Sequence, residues 1–139
     1  MEEDTLLIIK PDAVSAGTDE KILERIKTEG FKIVETKYAG LSLEDASRFY
    51  AVHYGKEFYN RLINFMSSGK IKVCHLRRIN AIKHLREIVG ATDPKDAAPG
   101  TLRKQFGTNG CVNAVHASDS VDNAKKEIAF FFNTKELVQ

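Results

Sequence analysis

The sequence has no tryptophan, only two cysteines and only three prolines in 139 residues. Cys74 and Cys111 lie far apart and pair with no closely spaced histidines. That excludes a disulfide-stapled scaffold and a zinc-finger pattern, and the cysteines read as reduced thiols. Neither sign of charge dominates, with 21 Lys and Arg against 19 Asp and Glu and a net charge of +2. A balance this even argues against nucleic acid or a membrane surface as a partner. Long apolar runs are also missing. The longest, Leu6 to Ile9 and Ile128 to Phe132, fall far short of the ~20 residues that span a bilayer. Met1-Glu2-Glu3-Asp4 is acidic where a signal peptide is basic. The expectation is a soluble, cytoplasmic protein. The glycine-rich phosphate cradles are absent too: Gly69-Lys70 lacks the upstream glycine and following hydroxyl of a P-loop, and no G-x-G-x-x-G occurs. Any nucleotide must be held by side chains.

What is present is globular. Hydrophobic residues make up 42% and charged residues 29%, and the length suits one domain over residues 1–139 with a core of its own. Leu6-Leu7-Ile8-Ile9 is a continuous apolar run, as in a central strand buried on both faces, and Pro11 ends it. Ile22, Leu23 and Ile26 predict a helix from Asp19 to Glu29, stopped by Gly30. A strand follows from Phe31. Ser42, with Asp45 three positions on, opens the next helix. Phe58, Leu62, Phe65 and Met66 mark another, closed by Ser67-Ser68-Gly69. Ile71 to Leu76 alternates as a third strand. Asn80 is placed to cap a helix through Ile82, Leu85 and Val89, ended by Gly90. An irregular stretch runs from Ala91 to about Gly110, and a loop of that length in a compact domain is usually functional. Val112 to His116 reads as a fourth strand, and Ser120 as the cap of a last helix with Ala124, Ile128 and Phe131 inward. This order predicts an α/β (α+β) sandwich, with helices covering a sheet of few strands.

Polar residues on apolar faces are the most informative. Glu127 shares the stripe of Ala124 and Phe131. Spacing leaves two readings: a carboxylate at the stripe's edge reaching water, or one turned inward to orient a catalytic group. Arg86 shares the face of Ile82 and Val89, either as half of a structural ion pair or as an anion ligand, because its planar fork matches phosphate. Arg103 follows Pro99-Gly100-Thr101-Leu102 in the irregular stretch. Of the four histidines, His84 falls on a polar helix face, and His53 and His75 fall at core edges. His116 ends a strand beside a helix N-terminus that attracts anions, a suitable place for phosphate chemistry.

Several segments together resemble the nucleoside diphosphate kinase family. They are Lys10-Pro11-Asp12, Phe49-Tyr50, Phe65 to Gly69, Gly90 to Pro94, Pro99 to Arg103, and Asn113 to Ser120 followed by Glu127. The resemblance runs from about Thr5 to Phe132, in order and with the family's spacing. It implies a ferredoxin-like fold with a four-stranded antiparallel sheet. It also implies transfer of the γ-phosphate of a nucleoside triphosphate, usually ATP, to a nucleoside diphosphate by a ping-pong route. By resemblance His116 is the residue phosphorylated, and Glu127 holds and polarises its imidazole. Lys10, Arg86, Thr92 and Arg103 are phosphate ligands, with Lys10 also near the ribose and Tyr50 beside it. Asn113 meets the ribose hydroxyl, Phe58 stacks on the base, and Leu62 lies nearby. Mg²⁺ rides on the nucleotide phosphates, with Asp119 reaching it through water. The family assembles as hexamers or tetramers, and a homo-hexamer is expected. The chain departs from the family pattern at Ala117, Gly110, Glu57, Lys104-Gln105 and Ser15 to Asp19. None of these removes a group that transfer needs.

Two other functions compete with this one. A non-catalytic nucleotide-binding relative, acting as sensor or assembly module, would be free to lose the nucleophile, yet His116, Glu127 and Lys10 are all present. A nucleic-acid binder on a similar sandwich would carry a basic stripe with exposed aromatics. One conflict stands out: strict alternation along Val112 to His116 puts Asn113 and His116 on opposite faces, so a bulge or an early strand end is required.

Overall fold

The protein is seen in a computed structural model that describes residues 2–132. β1 (Glu2–Ile9) leads into a short α1 (Pro11–Ser15) and then α2 (Asp19–Thr28). Next come β2 (Lys32–Gly40), α3 (Leu43–Phe49) and α4 (Tyr59–Met66). β3 (Lys70–Ile79) and α5 (Ala81–Val89) follow, then α6 (Leu102–Phe106), β4 (Val115–Ala117) and α7 (Val121–Phe132). Single 3₁₀ turns occupy Ala51–His53 and Pro94–Asp96. The sheet order is β2-β3-β1-β4 and every pairing is antiparallel, the ferredoxin-like arrangement.

The apolar run of β1 explains the layering. Side chains alternate along a strand, so Leu7 and Ile9 enter one core with Ile22, Ile26, Leu85 and Ile88 from α2 and α5. Leu6 and Ile8 enter the other with Ala46, Leu62, Met66 and Phe131 from α3, α4 and α7. All four β1 side chains have no solvent exposure. Truncating any of them to alanine costs about 2–5 kcal/mol. β1 therefore forms a rigid floor, and its last residues point at the site.

Several local expectations hold. Ser42 Oγ accepts from Asp45 N, and Ser120 Oγ accepts from Asn123 N. Pro11 does end β1, because it takes the first position of α1, where a missing N–H costs nothing. Others need correction. Asn80 stands before α5 in the left-handed region at φ 55° and makes no side-chain cap. The carboxylate of Glu3 accepts from Ile82 N instead. β2 bulges between Ile33 and Glu35, so the alternation read from Phe31 shifts phase there, and as an edge strand it is mostly exposed. His84 is not on a solvated face. It is half-buried, bonds Glu29 at 2.9 Å and lies tilted against Phe31.

The stretch from Ala91 to Gly110 is not structureless, since it holds the Pro94–Asp96 turn and α6, whose cap Thr101 Oγ1 accepts from Lys104 N. Gly90 makes its compact packing possible. It sits at φ +88°, and a Cβ there would lie 2.7 Å from Thr101 Cβ, so no other residue fits without movement. Val112 to Ala114 is not strand either: β4 begins at Val115, and Ala114 turns back at φ 75°.

Candidate active site

His116 sits in the middle of β4, opposite Ile8 of β1. Its Nε2 lies 2.9 Å from Glu127 Oε1 on α7, and each side chain is 19% exposed. Glu127 therefore turns inward onto His116 rather than out to water. Ser118 Oγ donates to the same carboxylate oxygen at 2.6 Å. Sequence reading assigned Ser118 no part, although it lies two residues beyond His116 and so points to the same face. The rings of Phe49 and Tyr50, at the end of α3, meet the imidazole edge-on at 5.4 and 6.0 Å. The histidine is thus clamped by one carboxylate and two aromatic edges.

Lys10, at the end of β1, is 4% exposed. Its Nζ donates to Asn113 Oδ1 at 2.8 Å and to the Cys111 carbonyl at 3.3 Å. Asn113 in turn donates from Nδ2 to the carbonyls of Thr92 and Gly110. Burial, helped by the positive Arg103, pushes the Lys10 ammonium down to about 8. Arg103 hangs from α6, with its Nη1 on Gly90 O at 3.1 Å and its Nη2 on Val115 O at 2.9 Å. Burial and the nearby Arg86 lower it to about 10. Arg86 differs from the expectation of an inward residue. The buried side of α5 is Ala81, Leu85, Ile88 and Val89, so Arg86 flanks it and is exposed. Its head still reaches the end of β4, with Nη1 3.4 Å from Ala117 O. Arg86 and Arg103 thus stand on the carbonyls either side of His116, and Lys10 lies close enough to Arg103 to feel its charge, an arrangement that favours a polyanion.

Tyr50 is buried, its hydroxyl has no hydrogen-bond partner, and burial together with Glu127 pushes its ionisation up. Arg103 Nε and Asp12 Oδ1 are also buried without partners. Asp12, to which sequence reading gave no role, accepts from Ala114 N through its other oxygen.

Asp119, just before α7, is held by Asn123 Nδ2 at 2.6 Å. That bond outweighs a modest desolvation and, with Arg86 and His116 nearby, keeps its carboxyl below the usual range. Thr92 is exposed and is joined to the site through its carbonyl. Phe58, 36% exposed, precedes α4 and connects with Tyr50 through His53, at ring distances of 5.3 and 6.3 Å. Leu62 lies one turn further along, its N donating to Phe58 O at 2.9 Å. At 7% exposure it belongs to the second core.

Among the described residues, no group of three or more His, Cys, Asp or Glu could hold a metal ion. This donor set fits a divalent cation that arrives on phosphates and takes at most one carboxylate from the protein. Nor, among those residues, is any helix long and apolar enough to cross a membrane.

Comparison with known proteins shows the family and agrees with the fold. The nucleoside diphosphate kinase family model matches residues 3–137. A nucleoside diphosphate kinase of Campylobacter fetus subsp. fetus is 50% identical over 135 residues, covering 97% of this chain and 98% of the relative. The crystal structure of the Aquifex aeolicus nucleoside diphosphate kinase superposes with a TM-score of 0.93 at 45% identity, over 95% of this chain and 96% of that one. The Halobacterium salinarum enzyme, solved in complex with CDP, gives a TM-score of 0.92 at 36% identity, over 98% and 91% of the two chains. Sequence, fold and a histidine flanked by arginines thus converge, and the chain belongs to the nucleoside diphosphate kinase family of phosphotransferases.

Proposed function

We propose that the γ-phosphoryl group of a nucleoside triphosphate, usually ATP, passes to a nucleoside diphosphate through His116. The hydrogen bond from His116 Nε2 to Glu127 Oε1 carries this reading. A carboxylate accepts, so Nε2 holds the proton and Nδ1 keeps its lone pair. In the first half-reaction that lone pair attacks the γ-phosphorus. The bond from phosphorus to the β-bridging oxygen breaks, and the diphosphate leaves with the electron pair. In the second, a terminal oxygen of the acceptor diphosphate attacks the phosphohistidine, and the phosphorus–nitrogen electrons return to Nδ1. Glu127 balances the positive charge that grows on the ring, and Ser118 holds Glu127 in place. Phosphoryl transfer needs positioning and charge neutralisation above all, and Lys10, Arg86 and Arg103 supply both. Thr92 assists them, and the Tyr50 hydroxyl points among these groups. Asn113 meets the ribose, and Phe58 stacks on the base with Leu62 behind it in the core.

Mg²⁺ is the expected cation, bound to the substrate phosphates with Asp119 reaching it through water; when bound it neutralises phosphate charge. We assign residues 1–139 to one domain working in the cytoplasm, in keeping with two free buried thiols. A homo-oligomer would cover the nine-residue edge strand β2, which leaves Val34 and Tyr38 exposed, and resemblance to the family favours a hexamer over a tetramer.

The reading requires a ping-pong mechanism. Initial rates measured against ATP at several diphosphate concentrations should give parallel double-reciprocal lines. Converging lines would mean direct transfer in a ternary complex and would remove His116 as the carrier.

A further inference from the structure

The turn leading into β4 is strained and is held from outside. Val115 N donates to Asn113 O at 2.9 Å across Ala114, whose φ is 75°. Together these describe a three-residue turn of the rare, strained kind. A residue with a Cβ in this region costs about 1–3 kcal/mol and persists only when its surroundings enforce it. Ala114 is fully buried, and both polar groups of its backbone are fixed by the segment after β1. Lys10 N donates to Ala114 O at 2.8 Å, and Ala114 N donates to Asp12 Oδ2 at 3.1 Å. Pro11 between them has a locked φ, so this clamp is stiff.

The turn resolves the conflict in strand parity. It interrupts the alternation, so that Asn113 faces Lys10 while His116 faces Glu127 within one site. Asp12 contributes the only side chain in the clamp. Its carboxylate stays although burial disfavours its charge and leaves Oδ1 without a partner. The backbone N–H groups at the start of α1 and the Lys10 charge offset part of that cost, and the hydrogen bond from Ala114 N is the contact that ties this carboxylate to the turn.

We propose that Asp12 is a positioning residue for phosphoryl transfer: by holding the Ala114 turn, its carboxylate fixes where Lys10 and Asn113 stand relative to His116. It touches no reacting atom. The proposal rests on His116 as the phosphoryl carrier and deepens that reading.

Glycine adopts φ 75° without strain, and this supplies the test. Four forms are compared by kcat, KM and thermal melting: wild type, D12A, A114G and D12A/A114G. D12A should lower kcat by about 10–100-fold, the scale of a small misplacement of reacting groups. KM should move by no more than about threefold, because Arg86 and Arg103 still hold the phosphates. A114G alone should stay within about threefold of wild type, and the double variant should return to within about threefold of A114G. D12N, whose amide oxygen can still accept from Ala114 N, should keep most of the activity. A double variant as slow as D12A would overturn the proposal. So would an unchanged kcat in D12A, or a D12N variant as slow as D12A, since charge rather than the turn would then matter. If D12A does not fold, the double variant decides: folded and active supports the proposal, unfolded or slow overturns it. Failure of the underlying reading is separable, because H116A would then retain transfer whatever residue stands at position 114.

Discussion

Lys10 donates a 2.8 Å hydrogen bond to Asn113 Oδ1, joining the end of β1 to the turn before β4. Burial and Arg103 hold this lysine near 8 in the folded chain, against an ordinary value of 10.5. The sign follows from linkage. Between those two values the unfolded chain binds more protons, so stability contributed by Lys10 rises with pH across that window. Below it, the buried ammonium costs the nucleotide-free fold about 3 kcal/mol.

Phosphates reverse that balance by favouring the ammonium, so nucleotide binding near pH 8 should take up roughly half a proton. Calorimetry of ADP binding in two buffers of different ionisation heat measures this directly. Lys10→Met should remove the uptake. Release of protons from wild type, or uptake that survives Lys10→Met, would show that another group is responsible.

Glu127→Gln should leave the fold intact and slow kcat by about 10–100-fold, because the amide still accepts from the ring but no longer balances the positive charge that grows on it. Ser118→Ala should cost less, about 3–10-fold, since Glu127 still reaches His116 without it. Circular dichroism and single-turnover rates separate the two effects. A normal rate in Glu127→Gln would reduce the 2.9 Å contact to a structural one.

Purine and pyrimidine diphosphates should all be accepted, purines somewhat better. The exposed Phe58 offers a stacking face, and every base has a π-face. Gly110 carries no side chain, so nothing at that position reads a base edge. Phe58→Ala should weaken all nucleotides and narrow the purine advantage. Preference for one base by more than about 10³-fold in kcat/KM would demand a hydrogen-bonding reader.

The layers were legible because β1 carries an unbroken apolar run, and such a run has few other places to go. Glu127 was legible as an anomaly, but its partner was not, because spacing along α7 says nothing about what stands across from it. Arg86 misled in orientation. A long side chain on the rim of a buried stripe can carry its charge past the helix, and periodicity does not resolve rim from centre. The parity conflict between Asn113 and His116 was visible in the sequence, while its solution was not. Ala114 gives no signal for a positive φ, since alanine rarely adopts one. The turn is imposed by Lys10 and Asp12, about a hundred residues earlier in the chain.

The most direct test is to find the phosphoryl group itself. Incubation with γ-labelled ATP and Mg²⁺ alone should leave up to one label per chain, labile to acid and stable to base, on the peptide containing His116. Adding a nucleoside diphosphate should remove it as labelled triphosphate, and His116→Ala should take no label. Label that persists in His116→Ala, or that a diphosphate cannot discharge, would contradict the assignment of His116 as carrier.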